Sequence, residues 1–403
     1  MKCVRCKKNL PDLRSSCDCG QDPYTGLILH ERYELLGELG AGGMGLIYRA
    51  IKRDDGTLCV IKISRWAQAL EEMRKIDPTE AREEERARIE REFTLLEKAS
   101  SRSKHVVRVY DHFAEDPRIG LYYPMEFLDG QPLSQIDGWG QPMDPIRALK
   151  LMAQINEGIG VAHGLGVVHR DLNADNIFIV RFDGSDDFVK LIDFGIARNL
   201  YNRRKLFQTG DHLAFGHLDF LAPEQVGYSH ATQSYDREVA ANLDHRADIY
   251  SLGVIMFMML TGYPPFETKT FEDLALRDWE YPPGLEQAVD DNLLVGGLRD
   301  IVTACLQPDP NQRPSDVLVL GDMLYHVLRE LQRDPTIANP HGETLDLTHE
   351  FGEIELPDDL DTLGASLIDQ ALQPMPSQLG LPTMRSSKAG LSNAAQQIGR
   401  AHV

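Results

Sequence analysis

The stretch Leu58-Cys59-Val60-Ile61-Lys62-Ile63 constrains this chain more than any other. Its apolar run reads as a buried strand, and Lys62 carries an ammonium into it. A lysine among core residues needs an anionic partner, because an unpaired buried charge is too costly. Glu92, on the charged helical stretch that follows, is the candidate. Upstream, Gly40-Ala41-Gly42-Gly43-Met44-Gly45 lies between strand-like segments that run from Tyr33 to Ala50. Such glycines let a hairpin backbone lie against phosphates with no Cβ in the way. Glycine-rich turns are common, so this signal alone is weak. A dinucleotide-binding loop would lead into a helix, whereas Leu46 to Ala50 continues as a strand, which disfavours that reading.

Asp77, Pro78 and Glu80 read as an N-cap, a first-turn proline and a capping-box acid, opening a helix that runs to about Ala99. Only its end has an apolar stripe, Ile89, Phe93 and Leu96. Its first half, Ala81 to Glu90, is expected to be a solvated extension held by weak charge pairs. From about residue 146 helical patterns dominate. Strands first and helices afterwards imply two unequal lobes, and no internal repeat is visible.

Length and charge set outer bounds. The 403 residues allow two or three domains, and 42% apolar with 26% charged residues is ordinary for a globular chain. A formal charge of −20 argues against a protein that coats nucleic acid or an anionic membrane. No apolar run reaches spanning length, and MKCVRCKKNL lacks the apolar core of a signal peptide. The expectation is a soluble, cytoplasmic chain with no nucleic-acid or membrane partner. Of six cysteines, Cys59 and Cys305 stand singly in apolar surroundings, while Cys3, Cys6, Cys17 and Cys19 crowd the first nineteen residues. In a reducing compartment that cluster is more often a metal site than disulfides. The last seventy residues, from Asp334, hold three basic and ten acidic side chains and little periodicity. They are expected to be largely disordered, with Leu345–Leu347 and Ile354–Leu356 as candidate docking segments.

Three further blocks carry chemistry: His169-Arg170-Asp171-Leu172-Asn173-Ala174-Asp175-Asn176, then Asp193-Phe194-Gly195, then Ala222-Pro223-Glu224. With Lys62 and the glycine loop, in this order and spacing, they resemble the signature of the eukaryotic-type protein kinases in its bacterial form. The resemblance covers Tyr33 to about Leu331. It implies an α+β, bilobal fold with a small β-rich lobe and a larger helical one. It also implies ATP-dependent phosphoryl transfer to serine or threonine hydroxyls of protein substrates, with autophosphorylation. Lys62 would hold the α- and β-phosphates, with Glu92 fixing that lysine. Glu90 and Glu97 lie close by, and Glu92 is chosen because Arg91-Glu92-Phe93-Thr94-Leu95-Leu96 matches the family's register. Asn176 and Asp193 would bind Mg²⁺, and Asp171 would orient the acceptor hydroxyl and receive its proton. Leu39 and Ile47 would cover the adenine, Met125 would guard the back pocket, and backbone at Glu126 to Leu128 would meet the adenine edge. Asp248 resembles the acid that anchors the catalytic loop, and Glu224 with Arg313 the ion pair that braces the substrate platform.

Two positions depart from the pattern. Asn173 stands where serine/threonine kinases usually carry lysine, and His217 follows Gly216 where they carry threonine. Both family residues contact the catalytic aspartate, so the joint change keeps alive an alternative: a pseudokinase scaffold that binds nucleotide and recruits partners. Between Asp193 and Glu224 the hydroxyl side chains are Tyr201 and Thr209. By the resemblance, Arg170 holds a position whose arginine often grips an activation-loop phosphate, so Thr209 is a candidate autophosphorylation site, the alternative being an unmodified exposed threonine. The four clustered cysteines resemble a short zinc ribbon, with a tighter second pair than usual, implying structural Zn²⁺. The organisation expected is therefore a zinc-ribbon-like segment at 1–26, a catalytic domain at 27–333 and an acidic tail at 334–403. The segment and the tail are both candidate docking elements.

Overall fold

The computed structural model describes residues 6, 8, 22–42, 45–65, 77–180, 187–194, 215–235, 239, 243–268, 273–274, 277–280, 282–291, 293–294 and 296–333. Cys3, Cys17, Cys19, Gly43, Met44, Gly195, Tyr201, Thr209 and the acidic tail lie outside these residues.

Alternating apolar residues fold the first third into an antiparallel sheet. Its strands are β1 (Ile28–Leu29), β2 (Tyr33–Gly42), β3 (Gly45–Lys52), β4 (Leu58–Ser64), β5 (Ala114–Asp116) and β6 (Gly120–Glu126). They lie in the order β1-β2-β3-β4-β6-β5. One face gathers Leu35, Leu46, Tyr48, Ala50, Cys59, Ile61 and Ile63 into a core of its own. Residues ahead of β1 join this face. Tyr24 and Leu27 pack against it, Gly26 N–H donates to Leu35 O at 2.7 Å, and Leu35 N–H donates to Leu27 O at 2.9 Å.

Helix α1 (Pro78–Ser100) begins at Asp77, whose carboxylate accepts from the Thr79 N–H. Its first half differs from the solvated extension expected. Ala81, Glu85 and Arg88 are buried, and Ser64 Oγ donates to Glu85 at 2.6 Å. An apolar-only periodicity overlooks a face whose contacts with the sheet are polar.

The second lobe is helical: α2 (Pro145–Gly164), α3 (Arg246–Thr261), α4 (Pro283–Asp290), α5 (Gly296–Cys305) and α6 (Val317–Arg333). Small sheets β7 (Gly130–Pro132), β8 (Ile177–Val180), β9 (Phe188–Leu191) and β10 (Tyr228–Ser229), β11 (Ser234–Tyr235) complete it. Helix α3 is apolar on nearly every side and buried from Ala247 to Phe257, as a central core helix must be. Gly253 permits its approach to α5, since a Cβ there would stand 2.5 Å from the Cys305 Cβ. Burial pushes the Cys305 and Cys59 thiols up to about 12.

Arg313 braces this lobe. Its Nη1 and Nη2 donate to Glu224 at 2.7 and 2.8 Å, and its remaining donors meet the carbonyls of Gln307, Pro308 and Arg246. The side chain is fully buried and lies 5.0 Å from the Tyr250 ring centroid. Breaking one partner of a buried pair costs about 3–5 kcal/mol. Glu224→Gln should therefore lower unfolding free energy by that order in urea titration; a loss under about 1 kcal/mol would reject a bracing role.

Candidate active site

Side-chain alternation along β4 decides where Lys62 points. Cys59, Ile61 and Ile63 face the small-lobe core, so Val60 and Lys62 face the other side. Strand register then places Ile47, Lys62 and Tyr123 in one row and Arg49, Val60 and Met125 in the next. Helix α1 brings Glu92 to this side. Lys62 Nζ donates to Glu92 Oε1 at 2.6 Å and to Asp193 Oδ1 at 2.9 Å, and Tyr123 OH donates to the same Glu92 oxygen at 2.7 Å. The Glu92 side chain is 4% exposed, whereas Glu90 and Glu97 are exposed. Burial works to strip the proton from Lys62, and the charges of Asp193 and Glu92 outweigh it, holding the ammonium well above its usual range. That raised value means the ion pairs stabilise the fold at neutral pH and are lost only as pH rises through it.

A second buried charge shapes the loop around Asp171. Asp248, in the first turn of α3, is wholly buried. Its Oδ2 accepts from His169 N–H at 2.7 Å and His163 Nε2 at 2.8 Å, and its Oδ1 from Arg170 N–H at 2.8 Å. Burial pushes its pKa up; the hydrogen bond from His163 and the other donors bring it below the ordinary carboxylate value. Arg170 has φ +63, the left-handed region that costs a non-glycine residue on the order of 1 kcal/mol. It is held on both sides, by Asp248 at its N–H and by Gln225 Nε2, 2.9 Å from its carbonyl. Burial lowers the His169 pKa and favours neutral imidazole. Its Nδ1 accepts from Asp171 N–H at 3.3 Å, and its ring packs 5.1 Å from that of Phe194.

Two amides converge on the Asp171 carbonyl, Asn173 Nδ2 at 2.8 Å and Asn176 Nδ2 at 2.9 Å. Asn176 Nδ2 also lies 3.4 Å from Asp171 Oδ2. Asn173 Oδ1 accepts from Asp175 N–H at 2.9 Å, and the residue is 2% exposed. Its side chain is thus committed to the loop backbone on both its polar atoms. Asn176 immediately precedes β8 and Asp193 follows β9. The pairing Ile177↔Leu191 and the bond from Ile192 N–H to Asn176 O, 3.0 Å, hold these two oxygen-bearing side chains at one end of one ladder. Asp193 has φ +56 and a side chain 46% exposed. Hard oxygen donors of this kind suit Mg²⁺, which completes its shell with water and phosphate.

Along the cleft edge, β6 ends at Glu126, so the backbone of Phe127 and Leu128 is not spent in its ladder. Met125 sits across from Val60, and Leu39 and Ile47 are half-buried, Ile47 paired with Gly40. A Cβ on Gly45 would run into the Ile63 carbonyl, so the turn needs glycine there. Glu126 Oε1 accepts from Lys190 Nζ at 2.6 Å and Arg108 N–H at 2.8 Å, tying this edge to β9. The bond of Tyr123, from the hinge-like stretch Tyr123 to Leu128, to Glu92 was not anticipated, nor were His163, Gln225 and Lys190; nothing local marks these contacts, since each acts on a residue 31 to 85 positions away. Of the four clustered cysteines only Cys6 is described, and it is half-buried. Among the described residues no group of three His, Cys, Asp or Glu forms a metal site, and no helix is long and apolar enough to cross a membrane.

Residues 33–327 match the family model described as protein kinase domain. The serine/threonine-protein kinase pkn3 of Myxococcus xanthus is 29% identical over 318 residues, covering 77% of this chain and 53% of that one. The serine/threonine-protein kinase A of Synechocystis is 30% identical over 322 residues, 76% and 55%. The chain thus spans about half the length of these curated relatives. Among solved structures, the Mycobacterium tuberculosis PknI kinase domain superposes with TM-score 0.52 at 21% identity, covering 75% of this chain and 98% of that one.

Removing Lys62 alone would strand the buried Glu92. Lys62→Met should cost about 3–5 kcal/mol, and adding Glu92→Gln should recover part of it. Denaturant unfolding of both single variants and the pair checks this; strictly additive losses would argue against a coupled pair.

Proposed function

The chain belongs to the protein kinase domain family, and from that premise we propose that it transfers the γ-phosphate of ATP to serine and threonine hydroxyls of protein substrates. The observation that supports this reading is the pairing of Lys62 with Glu92 and Asp193, together with Asn176, which the β8–β9 ladder holds beside Asp193 and which reaches Asp171. The names of the relatives, all serine/threonine-protein kinases, support the acceptor class.

Leu39, Ile47, Met125 and the backbone from Glu126 to Leu128 would enclose the adenine. The turn Gly40 to Gly45, including Ala41, Gly42, Gly43 and Met44, would lie over the phosphates. Asn176 and Asp193 would hold Mg²⁺, which would supply positive charge against the phosphates. Lys62, kept charged by Glu92, would bind the α- and β-phosphates. The acceptor oxygen attacks the γ-phosphorus, the bond to the β–γ bridging oxygen breaks, and ADP leaves. Asp171 orients the attacking hydroxyl and takes its proton. Asn173 is an uncharged amide and so would bring no charge to the γ-phosphate, and both its polar atoms already serve the loop. Neutralising the phosphate charge would then rest on Lys62 and on the metal that Asn176 and Asp193 would hold.

Cys3, Cys6, Cys17 and Cys19 are proposed as a structural Zn²⁺ site, and the amino-terminal segment and acidic tail as docking elements of a cytoplasmic enzyme. Metal analysis of the purified chain should return about one zinc per molecule; no zinc, with all thiols titrating freely, would dismiss the site.

Labelled ATP and Mg²⁺ with a protein acceptor should give incorporation that Asp171→Asn reduces by about 10²–10⁴-fold, the range for losing a general base. Phosphopeptide maps should include Thr209. Wild-type protein that binds nucleotide yet transfers nothing would favour the scaffold.

A further inference from the structure

The residues ahead of β1 reach the glycine-rich hairpin through one carboxylate. Asp22 Oδ2 accepts from the Glu38 N–H at 2.9 Å, and its Oδ1 accepts from the Tyr48 hydroxyl at 2.7 Å and from Tyr24 N–H at 3.1 Å. Glu38 and Tyr48 are partners across β2 and β3. Asp22 therefore holds both members of a cross-strand pair, one by its backbone and the other by its side chain. The Tyr24 ring lies 5.8 Å from that of Tyr48 and closes the contact.

The position of this pair matters. The β2–β3 register shifts twice, between Leu35 and Gly37 and again between Glu38 and Gly40. Such irregularities interrupt the ladder and let a strand bend and twist, and the amides they release need other acceptors. Asp22 accepts from the amide of Glu38, which with Gly37 lies between the two shifts, two positions before Gly40. Burial raises the carboxyl pKa and the hydrogen bonds from Tyr48, Tyr24 and Glu38 bring it below the usual value, so the group is ionised at neutral pH. Charge-assisted bonds of this kind are about twice as strong as neutral ones.

We propose that Asp22 is a positioning residue for nucleotide: by clamping Glu38 and Tyr48 it sets the bend of β2 and β3, and so where Gly40 and Ile47 stand relative to a bound nucleotide. It touches no reacting atom and acts through those two residues. The clamp stands on geometry alone; its consequence for nucleotide rests on the kinase reading.

The test uses the full chain as Asp22→Asn, Asp22→Ala, Tyr48→Phe and the Asp22→Asn/Tyr48→Phe pair, at a temperature where all remain folded by circular dichroism. Binding of a fluorescent ATP analogue with Mg²⁺, steady-state kinetics and amide hydrogen exchange over 33–52 are read together. Asp22→Asn should weaken binding and raise KM for ATP by about tenfold, the effect of roughly one charge-assisted hydrogen bond. The change should fall on KM much more than on kcat, and Glu38 exchange should quicken. Tyr48→Phe should give a smaller effect in the same direction, and the pair less than the sum of the two. Wild-type binding with unaltered affinity and KM in the variants overturns the positioning role and leaves the kinase reading intact. Equal losses in stability, kcat and affinity would reduce Asp22 to a structural residue and also overturn it. Wild type that binds no ATP overturns the kinase reading itself, and the nucleotide role with it.

Discussion

An ammonium set into a β-sheet dictates much of what surrounds it. Lys62 lies on β4 where water barely reaches, and its charge is sustained only while Glu92 and Asp193 stay within about 3 Å. One belongs to the helix packed on the small lobe and the other to the loop leaving the large lobe's sheet. A single charge thus obliges three separate pieces of chain to meet. Tyr123 adds a hydroxyl to the same Glu92 oxygen, so the helix is held by the sheet from two strands.

The large lobe repeats the device with the sign reversed. Asp248 is a carboxylate without water, and its donors are two backbone amides and an imidazole. Those amides belong to the residues just ahead of Asp171. Gln225, next to the Arg313–Glu224 brace, takes the opposite side of Arg170. The brace and the loop before Asp171 are therefore joined by one amide side chain, and a strained backbone position persists because two elements fix it independently.

Much of this was legible because the chemistry-bearing residues come in short contiguous blocks: Val60 to Lys62, His169 to Asn176, Asp193 to Gly195. The helix boundary at Asp77 was equally local, resting on a cap and a proline. What escaped was made by register and tertiary contact. The row Ile47, Lys62, Tyr123 exists only once three strands are aligned. The buried Glu85 and Arg88 read as solvated because polar residues carry no hydrophobic periodicity. Residues 22–26 read as the end of the zinc-ribbon-like segment, yet Asp22 and Gly26 bond to β2, and no short window of sequence can show a contact between Asp22 and Tyr48. Strands of two to four residues, such as β8 to β11, are too brief for alternation to register.

The helix contact at Gly253 carries one more implication. Cys305 is pressed into the space a missing side chain leaves, and Cys59 is enclosed by the small-lobe core; both thiols are held in the protonated form by their surroundings. Nucleophilic sulfur chemistry runs through the thiolate. These two cysteines are therefore inert toward alkylating and oxidising agents for as long as the lobes stay folded, and their modification would serve as a clock for unfolding rather than a measure of surface reactivity.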